Sequence, residues 1–432
     1  MSIRLLCVGD LHMGRVPGIP HTIAEQTNLS LRELGPAAAW RAVVEYASDL
    51  HPPIDAVVLT GDLIDKDKLY FESLGPLEEG LTRLATHNIP VYSVGGNHDF
   101  QSASRAAGVL SLLNLLGRDG KWECVSLGQT GISLLGWSFP SAAVSVSPLE
   151  TFRREILPTD NSTVIGLLHC DLDATNSVYA PVSRAGLEDI TTSAWLLGHI
   201  HKPHALGGVT RPIGYLGSVT GLDPTEIGPR GPWLMEVDRT GAVSMNMVPL
   251  APLRWEARDV SLDGLTRAED LDVLLTQFLK NLAEEIGGGL GEARAVGCRL
   301  RLTGRTACYS ELPKVVQEAS GVLWNSIGDV IYFVDKIDMA SLRPAFDLEA
   351  LQAGSDPPAL LARMLWQINC ETDEGKQFII EAMPHLRAES RREPWVSSTA
   401  VLSEAEVRDS LLQAGLEALD SLLRQKESGV AA

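Results

Sequence analysis

Short, almost unbroken apolar runs recur through the first part of the chain: Ile3 to Val8, Ala56 to Leu59, Val91 to Val94, Ile132 to Trp137, Val164 to Leu168, Ala194 to Leu197 and Trp233 to Val237. Runs of this length without a polar alternate predict strands buried on both faces, the habit of parallel sheets covered by other layers. Helical patterns lie between them, near residues 37–50 and 75–86. The alternation predicts an α/β domain, either a doubly wound sheet or an αββα sandwich. Pro249 to Pro252 breaks the pattern and marks a first domain boundary.

A different module follows. Trp255 to Val260 reads as a strand, and Thr266-Arg267-Ala268-Glu269 as a capping box leading a helix with Leu271, Leu274, Phe278 and Leu282 on one face. Gly287-Gly288-Gly289-Leu290-Gly291 reads as a flexible loop that lacks the Gly-Lys-Ser/Thr ending of a phosphate-binding loop. Strands near residues 296–303, 321–326 and 329–334 complete a small α+β unit. From about residue 345 the strand pattern disappears and the chain turns helical. The charged stretch 387–394 reads as a linker, and Ser403-Glu404-Ala405-Glu406 as the cap of a last helix. That helix carries Leu412, Leu416, Leu419 and Leu423 on one stripe, with Val407, Leu411 and Leu422 beside it. The stripe either packs on its own domain or offers a docking face. The expected domains are 1–250, 251–345 and 346–432.

Composition agrees with several domains. The chain has 432 residues and is 45% hydrophobic, more than one core usually supports. The apolar start, Ile3 to Val8, is too short for the core of a signal peptide and leads straight into a polar motif, so no membrane segment is expected. Cys7, Cys124, Cys170, Cys298, Cys308 and Cys370 are scattered without metal or disulfide spacing, and a reducing cytoplasm is the simplest account.

Chemistry concentrates in four segments, each placed just after an apolar run: Gly9-Asp10-Leu11-His12, Gly61-Asp62-Leu63-Ile64-Asp65, Gly96-Asn97-His98-Asp99 and Gly198-His199-Ile200-His201. Alone, each is an ordinary turn, because Gly, Asn and Asp favour turns. Together they carry a different meaning, since a parallel α/β sheet gathers the carboxyl ends of its strands into one crevice. Cleavage of a phosphate ester by two divalent cations about 4 Å apart needs roughly seven or eight imidazole, carboxylate and amide donors with open positions for substrate. With His169 added, the segments supply them. Asp10 and His12, like His199 and His201, are spaced to point one way from an extended strand end. Asp62 is the natural bridging carboxylate, and Asn97 a neutral oxygen donor.

These segments resemble the signature of the calcineurin-like metallophosphoesterases, and the whole chain is similar to the SbcD-type DNA repair exonucleases of that superfamily. The narrower likeness rests on Asp10-Leu11-His12-Met13-Gly14, on Asp65 after Gly61-Asp62, and on Ile213 to Ser218 followed by Gly228 to Asp238, similar to the strand, Gly-Ser turn and closing strand beyond the last histidines. The resemblance implies an αββα-sandwich metallophosphoesterase domain, a small α+β capping domain and C-terminal helices. It also implies one metal on Asp10, His12, Asp62 and His201, and a second on Asp62, Asn97, His169 and His199. His98 would protonate the leaving oxygen or donate to the developing phosphorane charge, with Asp99 orienting it. Ligands without cysteine favour Mn²⁺, with Fe or Mg²⁺ as alternatives. DNA as substrate, a homodimer, and an SbcC-type ABC ATPase with a coiled coil as partner of the C-terminal helices are implied in the same way.

Two features bear on substrate. The family usually has an aromatic residue where this chain has Ile64, and a Pro/Ser-containing stretch where it has Lys66 to Phe71. The net charge of −19 argues against a broad nucleic-acid surface, because phosphate contacts need Lys and Arg. Arg15, Lys66, Lys68, Arg105, Lys202 and Arg211 lie close to the motifs and are candidates for a local phosphate path, Arg15, Lys66 and Lys202 foremost. A stand-alone phosphodiesterase or phosphatase for small phosphoesters would use the same ligands. A non-catalytic scaffold would have no need of His98.

Overall fold

In the first strand, Leu5 and Cys7 face one core while Leu6 and Val8 face another, so both faces are apolar and the run has no polar alternate. We describe a computed structural model covering residues 2–65, 71–99, 109–160, 162–389 and 403–429. The chain divides into two units: Met1–Gly304 with Ser310–Leu342, and Arg305–Tyr309 with Arg343–Ala432.

The first unit holds two stacked sheets. One has strand order β11-β10-β1-β2-β3-β4, from Val243–Met247, Trp233–Val237, Ile3–Val8, Ala56–Leu59, Val91–Ser93 and Leu113–Leu115. The other has order β5-β6-β7-β8-β9, from Glu123–Ser126, Ile132–Trp137, Thr163–His169, Ala194–Gly198 and Ile213–Tyr215. Between them lies a core of Leu5, Cys7, Val58, Leu134, Ile165, Leu167, Leu196 and Met235. Each fully buried aliphatic side chain there contributes about 1.5–3 kcal/mol. The outer face of the first sheet is covered by the helices Pro36–Asp49 and Phe71–Thr86, through Trp40, Val43, Leu77 and Leu81. The outer face of the second is covered by Trp122, Phe139, Val182, Leu187 and neighbouring loops. This is a mixed α/β sandwich. β1-β2-β3 and β6-β7-β8-β9 run parallel, which brings their carboxyl ends together.

The seven apolar runs all became strands. β4, β5 and β11 carried weaker signals, being three residues long or alternating apolar with polar at a sheet edge.

A four-stranded sheet, order β12-β13-β16-β15, is built from Leu253–Ser261, Ala295–Thr303, Val330–Asp338 and Trp324–Ile327. Its Trp255 and Phe333 pack on Ile23 and Leu34, from the segment after the first motif. Here the expected capping box fails. Thr266 does not cap; Ala268–Asp270 form a 3₁₀ turn, and the helix runs Leu271–Ile286. The Glu269 carboxylate pairs with Arg267 at 3.0 Å, which takes it away from a capping role. The buried stripe is Leu271, Leu275, Leu279, Leu282 and Ile286, so Leu274 and Phe278 lie at its margin. The glycine run 287–290 continues as a 3₁₀ turn.

The second unit is helical, with Leu348–Leu351, Pro357–Asn369, Asp373–Glu389 and Glu404–Gly429, and a two-strand bridge of β14 (Arg305–Thr306) and β17 (Arg343–Pro344). Of the expected linker 387–394, the first three residues continue the helix Asp373–Glu389 and the rest lies outside the described residues. Ser403 and Glu406 form the capping box reciprocally: the Ser403 N–H donates to the Glu406 carboxylate at 2.7 Å, and the Glu406 N–H donates to Ser403 Oγ at 3.3 Å. Leu412, Leu416, Leu419 and Leu423 pack with Ala362 and Leu365, and Val407 and Leu411 with Ile368 and Ile379. The leucine stripe is thus covered within its own unit.

Candidate metal centre and active site

Every segment singled out by motif arrives at the same crevice. Asp10 and His12 follow β1, Asp62 follows β2, Asn97 and His98 follow β3, His169 ends β7, and His199 and His201 follow β8. Close packing of these strand ends explains the glycine that opens each of the four motif segments. A Cβ on Gly9 would stand 1.8 Å from the Gly217 carbonyl oxygen, and one on Gly96 would stand 2.1 Å from Asp62 Oδ1. The backbone is also held in unusual conformations, with φ of +49° at His12, +48° at Asp62 and +105° at His199. Left-handed φ at non-glycine residues costs of order 1–3 kcal/mol each and persists where the surroundings dictate it.

The donors converge in two groups sharing Asp62. On one side His12 Nε2 lies 2.9 Å from His201 Nε2 and 3.8 Å from Asp62 Oδ2, and Asp10, His12 and Asp62 bring their donor atoms within 4.8 Å of one another. On the other side His169 Nε2 lies 3.0 Å from Asn97 Oδ1 and 3.4 Å from Asp62 Oδ2, with His199 joining them. Asp10 Oδ2 is buried and has no hydrogen-bond partner, although Oδ1 accepts the His199 N–H at 2.9 Å. A buried carboxylate oxygen left unmatched among facing imidazole nitrogens is the arrangement a cation completes. The donor set fits two divalent ions.

Charge follows the same map. Burial would raise the Asp62 carboxyl, but His169, then His12 and His98, outweigh it and hold it well below its usual value. Burial would lower His169, but the Asp62 charge and hydrogen bond, the Asp10 charge and the Thr60 carbonyl raise it to about 9. At His12, Asp65, Asp62 and Asp10 likewise overcome burial and raise the imidazole. His98 is pushed down, first by burial and then by His12 and His169 against the two aspartates.

His98 sits at the partly open edge with Nδ1 3.4 Å from Asp65 Oδ1, an oxygen that is also 3.5 Å from His12 Nδ1. Asp99, assigned from the motif to orient His98, accepts the backbone N–H groups of Leu63 at 2.9 Å, Ile64 at 3.2 Å and Gly96 at 3.2 Å, tying two motif loops together. Burial and the nearby Asp62 raise its carboxyl to about 6 against those donors.

Each imidazole in the cluster has an oxygen at its far nitrogen. Asp65 Oδ1 stands 3.5 Å from His12 Nδ1 and Asp171 Oδ1 3.3 Å from His199 Nε2 as ion-pair neighbours, while hydrogen bonds join His169 Nδ1 to the Thr60 carbonyl at 3.0 Å and His201 Nδ1 to Glu226 at 2.7 Å. Such contacts fix the ring orientation and tautomer of a ligating histidine. Asp65, Asp171 and Glu226 were absent from the expected site. Asp65 was visible in the second motif and Asp171 beside His169, whereas Glu226 had no motif around it. Asp173, by contrast, holds a turn, with φ of +57° and its carboxylate on the Arg184 N–H.

Of the basic candidates, Arg15 is partly buried after His12, and its charge acts on Asp65. Lys202 is exposed beside His201. Arg211 is committed elsewhere: its guanidinium donates to the carbonyls of Leu187, Glu188 and Ile190. Lys66, Lys68 and Arg105 lie outside the described residues. All six cysteines are free thiols. Among the described residues, no helix is long and apolar enough to cross a membrane.

Residues 3–203 match the family profile of the calcineurin-like phosphoesterases. The chain is 25% identical over 281 residues to the metallophosphoesterase YhaO of Bacillus subtilis, covering 63% of this chain and 66% of that protein. It is 30% identical over 249 residues to the DNA double-strand break repair protein Mre11 of Aeropyrum pernix, covering 53% and 56%. A protein of the same description from Methanosarcina mazei is 30% identical over 120 residues, 28% of this chain and 18% of that protein. The chain thus spans about half to two-thirds of the first two relatives.

Proposed function

We propose that the chain, whose residues 3–203 match the calcineurin-like phosphoesterase profile, is a two-metal DNA nuclease of the repair type, cleaving phosphodiester bonds in the crevice at the strand ends. The observation that carries the reading is the convergence of Asp10, His12, Asp62, Asn97, His169, His199 and His201 around shared Asp62, with an unmatched buried oxygen on Asp10 and a further imidazole, His98, at the open edge. Two divalent cations, Mn²⁺ by preference, would supply charge neutralisation for the phosphate and a water of lowered pKa.

The chain's own residues do the rest. Asp62 lies between the two donor groups and sets their spacing. Asp10 and Asp62 give one side two carboxylates, while Asn97, His169 and His199 make the other side largely neutral. His98, partly open to solvent and with Nδ1 3.4 Å from Asp65, is assigned to the departing oxygen, as its proton donor once the phosphate is bound or as a hydrogen-bond donor to the developing charge. Asp99 keeps the loop bearing Asn97 and His98 against the loop bearing Asp62. Arg15 and Lys202 are assigned the role of phosphate contacts beside the crevice, and Lys66 the same role.

DNA as the substrate class is supported by the likeness to the Mre11 proteins. A capping role for residues 251–345, an ATPase partner for residues 346–432, a homodimer and a cytoplasmic location belong to the same proposal. A second reading, a phosphodiesterase for small phosphoesters, is favoured by one observation, the net charge of −19. The test compares Mn²⁺-dependent cleavage of end-labelled single- and double-stranded DNA with that of bis-p-nitrophenyl phosphate, for the wild type and His98→Ala. DNA cleavage that falls about 10²- to 10⁴-fold in the variant, with Mn²⁺ still bound, is the expected result for a general acid. Rapid turnover of the small ester with intact DNA would transfer the assignment to the second reading.

A further inference from the structure

Glu226 lies beyond the stretch that matches the phosphoesterase profile, yet its side chain is only 8% exposed and reaches into the crevice. One carboxylate oxygen accepts from His201 Nδ1 at 2.7 Å. The other accepts from Ser218 Oγ at 2.8 Å and from the Leu222 N–H at 3.2 Å. A carboxylate facing three donors has no proton to give, so the hydrogen between it and His201 belongs to Nδ1. That leaves the Nε2 lone pair facing His12 Nε2, 2.9 Å away. The buried Arg230 guanidinium grips the same histidine from behind, donating to the His201 carbonyl and, at 3.2 Å, to Ser218 Oγ.

The loop bearing Glu226 is itself pinned to the small sheet. The Gly228 N–H donates to the Trp255 carbonyl at 2.8 Å, and Trp255 Nε1 donates to the Gly221 carbonyl at 3.1 Å.

We propose that Glu226 is a positioning residue for the metal centre, fixing the tautomer and ring orientation of His201 so that Nε2 is presented as a ligand, from a loop held rigid by the first strand of the small sheet. The inference rests on His201 being a ligand in the proposed function. A glutamine at 226 keeps the shape but carries an NH₂ group, which must face either His201 Nδ1 or the Leu222 and Ser218 donors. It therefore either turns the His201 tautomer around or breaks the loop contacts.

The experiment is Mn²⁺ titration by calorimetry on the full chain, for the wild type, His201→Ala, Glu226→Gln, Glu226→Ala and Glu226→Asp. It is paired with ¹⁵N-histidine NMR of the metal-free protein, which reads the His201 tautomer whether or not metal binds. Two Mn²⁺ sites are expected in the wild type and one in His201→Ala. The same site should weaken by about 10- to 100-fold in Glu226→Gln and Glu226→Ala. Glu226→Asp should recover part of it, and the His201 Nδ1–H signal should shift in Glu226→Gln. Wild-type affinity and tautomer in both the Gln and Ala variants would overturn the inference and leave the site reading intact. Unchanged Mn²⁺ binding in His201→Ala would overturn the site reading, and this inference with it.

Discussion

Adding Mn²⁺ to the metal-free protein at pH 7 should expel a proton from His169. The buried ring is raised to about 9 by Asp62, its hydrogen bond, Asp10 and the Thr60 carbonyl acting against burial. At pH 7 it is therefore almost fully protonated, whereas a ligating imidazole must be neutral. The two-unit gap costs about 3 kcal/mol, or about 100-fold in apparent affinity. Between pH 6.5 and 8 the Mn²⁺ dissociation constant should fall about tenfold per unit from His169 alone, with about one proton released per ion at its site. The same shift acts on the metal-free fold. The folded value of about 9 exceeds the unfolded 6.5, so the stabilisation is fully present below pH 6.5 and is lost as pH rises through 9. The metal-free melting temperature should drop across that window. Calorimetry at pH 7 in two buffers of different ionisation enthalpy reads proton release directly. Identical heats in both buffers and a pH-independent affinity would refute the placement of His169 as a ligand between Asp62 and Asn97.

Asp62→Ala removes the carboxylate that lies 3.4 Å from His169 and 3.8 Å from His12, so both metal sites should fail together, with bound Mn²⁺ well below one equivalent by elemental analysis. Retention of one tightly held ion would show that the two donor groups are independent. Gly96→Ala places a Cβ 2.1 Å from Asp62 Oδ1, and the displaced carboxylate should weaken Mn²⁺ at least tenfold. The overpacking should also cost about 1–3 kcal/mol in chemical denaturation. Wild-type metal binding in this variant would mean that the strand ends are looser than their packing indicates.

The sandwich was legible because its strands are buried on both faces. Leu5 and Cys7 serve one core while Leu6 and Val8 serve the next, and such continuous runs stand out in a sequence. Edge strands gave less. Val243 and Met245 face inward while Ser244 and Asn246 face out, a pattern that five residues state only weakly. The helix Leu271–Ile286 was found but turned, because Leu274 and Phe278 at the stripe margin fit the period about as well as Leu275 and Leu279 at its centre. The cap failed for a reason sequence does not carry: the Glu269 carboxylate pairs with Arg267 at 3.0 Å, and the 3₁₀ turn starts after Arg267 with no side-chain cap.

The site divides the same way. The residues at its centre were legible because the chemistry restricts their type and the sheet restricts their place. A donor must be imidazole, carboxylate or amide and must stand at a strand end, and in the four motif segments, though not at His169, a glycine precedes it where neighbouring loops nearly touch. Gly96, whose Cβ would collide with Asp62, shows how the demand for glycine arises. The residues behind them answer a looser requirement, an oxygen about 3 Å from the far ring nitrogen. The Thr60 carbonyl meets it for His169 as well as a carboxylate does for His201. A backbone carbonyl has no sequence signature, and a carboxylate can arrive from any loop the fold brings near. Asp65 comes from the second motif, Asp171 from the turn after β7, and Glu226 from a loop fastened to another sheet. Contacts of this kind are specified by tertiary packing, so the orientation of the histidines becomes readable only once the chain has folded.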